Sequence, residues 1–297
     1  MQEVTVTVHF VQSPMPPPQL LAASAAGFCG GYTVGLVSWG GSQVIIPSLR
    51  LLGLSQLSAA GTSLCAMGTS AAVSASTYLS AGAADLPIAL CIALPGIAGA
   101  RLGVRLASTL SADAQAFAFN GLSFSLVPIH MLVQHRRQNA PAAATSGGGI
   151  AAGNINTIAD RASRLAAHAA FGASLGVVSA LMGAGGGPLG VTYLTIFEPQ
   201  MPQQLVQGTV TCAVVPGMLS AAWTTWRAGK LPVRLAAAAT AAAAVGGVCG
   251  TKCALWLSDE QLRGAYVVSL GVLGGRSFLA GGRNLASLWR THRMKIK

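Results

Sequence analysis

The sequence predicts an all-α fold, that of a polytopic helical membrane protein. Three observations carry this prediction. Of the 297 residues, 52% are hydrophobic and only 8% are charged, whereas soluble domains carry about 25% charged residues. The apolar stretches reach the length of about 20 residues that a helix needs to cross a hydrocarbon core. Glycine is abundant, with 37 residues, and small residues let helices pack closely in lipid.

Eight apolar stretches can be drawn, and a polar segment separates them into two groups of four. They cover residues 19–49, 58–80, 86–108, 112–134, 166–197, 205–226, 232–257 and 261–280. The polar segment is rich in Gly, Ala, Asn and Ser, a composition typical of a flexible linker. We therefore expect a disordered lead (1–18), a first transmembrane repeat (19–134), a linker (135–165), a second transmembrane repeat (166–282) and a basic cytoplasmic tail (283–297).

The two groups resemble each other in sequence. GTSLCAMGTSAAVSASTYLSAG (61–82) and GTVTCAVVPGMLSAAWTTWRAG (208–229) both begin with GT, have CA at the fifth and sixth positions and end with AG. The match continues without a gap at a constant offset of 147, through LSAD (110–113) and LSDE (257–260). This similarity predicts two homologous halves of about four transmembrane helices each.

The first apolar stretch of each half is too long for one crossing and is interrupted by glycine. The interruptions lie in VSWGGSQVIIP (37–47) and LMGAGGGPLG (181–190). A helix that breaks inside the membrane leaves N–H groups without partners at a positive dipole end, which suits an anion. Paired interrupted segments also point to the binding site of a transporter. The predicted anion-binding residues here are Gly40, Gly41, Ser42, Gly183, Gly185, Gly186 and Gly187.

The helix after each break adds two pairs of equivalent residues to the candidate site. Thr62 and Thr209 could donate hydrogen bonds to an oxyanion, or could instead bond to their own backbone. Cys65 and Cys212 could line the substrate path, or could be small buried residues. The sequence leaves both alternatives open.

With these motifs in view, the chain resembles the TauE/SafE sulfite exporter family, in which each half opens near the pattern GLLSGLLGIGGGFLLVP. The second half matches this pattern closely, and the first half matches in part, with Val37 and Trp39 where glycines are usual. The resemblance covers about residues 19–134 and 166–280 and implies transport of small anions such as sulfite, sulfonates and carboxylates. The matching residues are Gly176, Gly183, Gly185, Gly186, Gly187, Gly30, Gly40, Gly41 and Pro47.

Several other classes of protein are disfavoured. The net charge of +11 comes from basic residues at the ends of apolar runs and in the tail, which is where membrane topology requires them, so nucleic acid is not an expected partner. The six cysteines are scattered without a CxxC pair or flanking histidine, and no metal site is expected. We expect no cofactor and no enzyme activity.

The resulting hypothesis is a secondary transporter of small anions, whose partners are the anion and the lipid bilayer. A passive anion channel and a non-transporting scaffold with a degraded site remain alternatives, and assembly into a homo-oligomer is left open. With eight crossings, both termini lie on the same side as the linker. The excess of basic residues on that side predicts cytoplasmic termini in a multi-pass protein of the cell membrane. A re-entrant first stretch would change this topology.

Overall fold

The computed structural model describes residues 17–39, 41–110, 158–182, 185–229 and 231–269, together with residues 125, 132, 271 and 272. The secondary structure of these residues is helical. Nine helices occur among them: α1 (Pro17–Val37), α2 (Ser42–Leu51), α3 (Gln56–Ser80), α4 (Leu86–Thr109), α5 (Ile158–Met182), α6 (Gly187–Phe197), α7 (Gln203–Arg227), α8 (Val233–Trp256) and α9 (259–269). The prediction of a helical fold is confirmed.

Five of these helices are long and apolar enough to cross a membrane. The candidate spans are Pro18–Val37, Leu86–Ala107, Ala162–Leu181, Gln203–Arg227 and Val233–Trp256. Large apolar side chains are exposed along them, including Leu21, Leu90, Leu94 and Leu102, and a lipid environment would cover such a surface. These features support an integral, multi-pass membrane protein.

Helix ends follow local sequence signals. The Ser55 hydroxyl accepts a hydrogen bond from the N–H of Ser58 at 3.2 Å, and the Asp85 carboxylate accepts one from the N–H of Ile88 at 3.1 Å. These N-caps satisfy amides that have no partner within α3 and α4. One boundary differs from expectation, because α5 begins at Ile158, inside the predicted linker 135–165. The predicted stretch 112–134 lies outside the described residues, apart from isolated positions, and so do most of the lead, the linker and the tail.

Two pairs of helices pack in parallel through glycine. In the first pair, Gly31 of α1 faces Ala243 of α8, and Gly35 faces Gly247. In the second pair, Gly172 of α5 faces Ile92 of α4, and Gly176 faces Gly96. A β-carbon at these glycines would overlap the backbone of the neighbouring helix, so the glycines are what permits the close approach.

The central helices α3 and α7 pack against each other in opposite directions. Gly61, near the start of α3, contacts Thr225 near the end of α7, whereas Gly208 near the start of α7 contacts Tyr78 near the end of α3. Between them, Gly68 contacts Leu219. Both helices bury polar side chains within an apolar shell, namely Thr62, Ser63, Ser70, Ser74, Gln207, Thr209, Thr211 and Thr225.

The short helices α2 and α6 each pack against the long helix that precedes them, and α6 runs back along α5. Gly41, at the start of α2, packs on Gly30 within α1. The ring of Tyr193 in α6 stacks on Phe171 in α5 with centroids 3.7 Å apart, and Glu198, which follows α6, forms an ion pair with Arg164 near the start of α5. The segment from α5 to α6 is therefore a helical hairpin, while α2 begins against the middle of α1.

Candidate functional site at the junction of two helix interruptions

The first interruption lies between α1 and α2. The N–H of Ser38 still bonds to the carbonyl of Val34 at 2.9 Å, but Ser38 itself has a φ of +52°, a left-handed conformation that ends α1. Gly41 is buried and forms the N-cap of α2. Gly40, a predicted site residue, lies outside the described residues.

The second interruption lies between α5, which ends at Met182, and α6, which begins at Gly187. Gly185 and Gly186 have φ values of +74° and +70°, which glycine adopts at little cost and other residues rarely adopt. Pro188 occupies the first turn of α6, where its missing N–H is no disadvantage. Gly183 lies outside the described residues.

The two interruptions touch each other in the protein interior. The carbonyl oxygen of Ser38 lies against the Cα of Gly187, where a β-carbon would overlap it. The ring of Trp39 lies 6.5 Å from that of Tyr266, and the Tyr266 hydroxyl donates to the carbonyl of Pro188 at 3.1 Å. We call this contact region, formed by the described residues Ser38, Trp39, Gly41 and Ser42 together with residues 185–188, the junction.

Methionine side chains border the junction. The N–H of Ser42, at the start of α2, donates to the thioether sulfur of Met67 at 3.1 Å, and a thioether is a weak acceptor. A side chain at Gly185 would meet the methyl group of Met218, with that of Met67 3.5 Å away. Flexible, polarisable methionines therefore lie where a ligand of the Ser42 amide would lie.

Polar groups of α7 face the same junction. The Ser38 hydroxyl donates to the carbonyl of Gln207 at 2.8 Å and lies 2.7 Å from the Thr211 hydroxyl oxygen. Gln207 and Thr211 share one face of α7, since they are four residues apart. Gln207 is fully buried, and within the part of the chain that the structure describes neither its amide nitrogen nor its amide oxygen has a hydrogen-bond partner.

A second polar cluster holds the α5–α6 hairpin together. Glu198 pairs with Arg164, and its carboxylate lies 3.5 Å from the Nε2 atom of His168, whose Nδ1 atom lies 3.0 Å from the Tyr193 hydroxyl. The hydrogen bond from His168 and the Arg164 guanidinium lower the pKa of Glu198 below its ordinary value, although burial opposes them. The sequence reasoning missed this cluster, because its members are far apart along the chain.

The comparison with protein families agrees with this architecture. A family model described as Sulfite exporter TauE/SafE matches residues 23–277, most of the chain. The chain belongs to the TauE/SafE family. No curated protein and no solved structure matches it. The resemblance stated from the glycine motifs is therefore confirmed, and this TauE/SafE protein is a membrane protein of a transport family.

The predicted threonines differ in what their hydroxyls do. The Thr209 hydroxyl donates to the carbonyl of Leu205 at 2.7 Å and accepts from the N–H of Asp85 at 2.8 Å. It lies two residues from Gln207, on the other side of α7, and its proton is already used. The equivalent Thr62 is fully buried, and its hydroxyl has no partner among the described residues.

The predicted cysteines of this TauE/SafE protein are half-buried. Cys212 contacts α3, with its sulfur 4.0 Å from the carbonyl of Ala75. Cys65 packs against the apolar core. Within the described residues no group of three or more His, Cys, Asp or Glu side chains could hold a metal ion. The chemistry at the junction is therefore that of amides, hydroxyls, thioethers and helix ends.

Proposed function

We propose that this TauE/SafE protein is a secondary transporter of small anions of the sulfite, organosulfonate or carboxylate class, and that the anion binds at the junction. The contact between Ser38 and Gly187 carries the proposal, because it places the interruption that precedes α2 directly against the start of α6. Each helix start has the field of about half a positive charge. An anion can therefore be stabilised there without a basic side chain.

The proposal includes two homologous halves of inverted orientation. The equivalent helices α3 and α7 pack antiparallel, and the parallel pair α1 and α8 has its counterpart in the parallel pair α5 and α4. Both interrupted segments, α1–α2 and α5–α6, reach the junction. Inverted repeats around a central site of interrupted helices suit alternating access, in which the halves rock about the bound substrate.

The directions of the helices lead to a revised topology. Because α4 and α5 are parallel, they begin on the same side of the membrane, and we infer that the chain returns across it between residues 110 and 157. In this proposed topology α2, like α6, returns to the side where its long helix begins, so the linker and the termini lie on opposite sides, not on the same side as eight simple crossings would give. Arg50, Arg227 and Arg234 lie on the side of the termini, which agrees with cytoplasmic termini.

Transport by purified protein in proteoliposomes tests the proposal. Vesicles loaded with unlabelled sulfite, thiosulfate, sulfoacetate, taurine or pyruvate are diluted into radiolabelled sulfite, and accumulation of label is followed. A carrier shows saturable counterflow with at least one of these anions, because one site serves both directions. Flux that neither saturates nor shows counterflow would indicate a channel. No flux with any of the five would leave a scaffold role and refute the proposal.

A further inference from the structure

Gln207 is an anomaly in the packing of α7. Its side chain is fully buried, yet its N–H and C=O groups have no partners in the described part of the chain. The main-chain carbonyl oxygen of the same residue lies 2.8 Å from each of the hydroxyl oxygens of Ser38 and Thr211, which are also within hydrogen-bond distance of each other. Burying an amide without partners is costly, and a polar group kept in a membrane span usually has a function.

Gln207 is also adjacent to the proposed anion site. Ser38 connects the two, because its hydroxyl bonds to the main-chain carbonyl of Gln207 while its own carbonyl lies on Gly187. A ligand at the start of α6 is thus one residue away from the face of α7 that carries Gln207. No charged residue lies on this face between Gln203 and Thr211.

We propose that the side-chain amide of Gln207 determines specificity by binding a hydrogen-bond donor that the transported anion carries beside its anionic group. This inference rests on the proposed transport function. The helix starts can stabilise only the negative charge, since the groups they present are backbone N–H donors. The Gln207 carbonyl needs a donor, and its NH₂ group can donate to the same substrate group. A hydroxyl close to a sulfonate or carboxylate satisfies both requirements, because a hydroxyl both donates and accepts.

Comparison of the two repeats shows that the glutamine at position 207 has no counterpart in the first repeat. At the offset of 147, Gln207 and Thr211 correspond to Ala60 and Leu64. The face of α3 equivalent to the Gln207 face is therefore apolar, and it borders a small crevice that Ala60, Leu64 and Val104 line together with other residues. A substrate bound at the helix starts would have the polar Gln207 face of α7 on one side and the apolar face of α3 on the other. An asymmetric substrate would therefore bind in one orientation.

A pair of matched ligands tests the inference on the full-length protein in detergent. Calorimetric titration compares 2-hydroxyethanesulfonate with propane-1-sulfonate, in which a methyl group replaces the hydroxyl. The wild type is expected to bind the hydroxylated anion about tenfold more tightly, the size of one hydrogen bond in a desolvated site. Gln207→Met keeps the side-chain volume, and it is expected to bind both anions equally.

Thermal unfolding without ligand separates this role from a structural one. Gln207→Met is expected to melt no lower than the wild type, because it removes a buried amide that has no partner. Gln204→Met is the matched control: the Gln204 amide donates to the carbonyls of Leu257 at 2.9 Å and Ala254 at 3.4 Å, so this variant is expected to melt lower while preserving the ligand preference.

The outcomes distinguish the two proposals. If the wild type binds neither sulfonate nor sulfite, the transport function fails and the inference fails with it. If the wild type binds both sulfonates with equal affinity, or if Gln207→Met keeps the preference for the hydroxyl, the inference is overturned while the transport proposal stands.

Discussion

The hydroxyl oxygen of Ser38 lies 2.7 Å from that of Thr211, although 173 residues separate them in sequence. Ser38 is the first residue after α1, and Thr211 lies in the middle third of α7. This hydrogen bond fixes the first interruption against α7. The junction therefore depends on a polar contact with α7 as well as on glycine.

A double-mutant cycle measures this contact. Ser38→Ala and Thr211→Val are each expected to lower the free energy of unfolding by about 1 kcal/mol, and the double variant by less than their sum, because they share one hydrogen bond. Ser48→Ala is the control, since the Ser48 hydroxyl bonds to the Val44 carbonyl within its own helix. Additive effects in denaturation by guanidinium would mean that the two hydroxyls do not interact.

Gly185 is expected to be essential for transport because it lacks a side chain, and not only because of its left-handed backbone conformation. Gly185→Ala places a methyl group at a φ of +74° next to the Met218 methyl group, whereas Gly229→Ala meets the same left-handed strain, at +68°, with no atom within 4 Å. Both variants should lose about 1 kcal/mol of stability. Only Gly185→Ala should lose most sulfite uptake in proteoliposomes. Equal sulfite uptake by the two variants would mean that Gly185 has no part in substrate binding.

The Glu198 cluster predicts loss of stability in acid. Because the folded-state pKa of Glu198 is lowered, its contribution is complete above the unfolded-state value of about 4.3 and is lost as pH falls through the lower folded-state pKa. Glu198→Gln should cost about 2 kcal/mol at neutral pH and flatten the dependence of the melting temperature on pH below that value. Glu260→Gln, at an exposed position, is the control. An unchanged acid profile in Glu198→Gln would contradict this role.

The proposed topology would place the linker and the tail on opposite sides of the membrane. In a chain whose six cysteines are replaced, Ser146→Cys and Ser287→Cys each introduce one thiol, in the linker and in the tail. A membrane-impermeant maleimide added to intact cells should label the first variant and not the second. Labelling of both thiols from one side would restore the arrangement of eight simple crossings.

Local sequence signals predicted the helices well. The apolar stretch 86–108 corresponds to α4 (Leu86–Thr109), and 205–226 corresponds to α7 (Gln203–Arg227). Caps such as Asp85 and the length of each apolar run are sufficient for this. The stretches 19–49 and 166–197 were recognised as interrupted by their glycines, but whether the second part continues or returns depends on packing against Gly30 or Phe171, which no local pattern encodes.

The candidate site was harder to predict from the sequence than the helices were. Thr209 has the residue type of an oxyanion donor, yet its proton is bonded within α7. Gln207 drew no attention, because a single uncharged polar residue is common in an apolar helix. Comparison of the repeats could have found it, since Ala60 occupies the equivalent position. The Ser38–Thr211 contact joins distant segments, and only the three-dimensional structure reveals it.

The most direct test of anion binding at the junction is an experimental structure with a heavy analogue of the substrate. Selenite replaces sulfite in a crystal soak, and its anomalous scattering locates the anion. Binding at the junction predicts a peak within hydrogen-bond distance of the amides that begin α2 or α6. If the crystallised protein transports sulfite and the selenite peak lies elsewhere, anion binding at the junction would be contradicted.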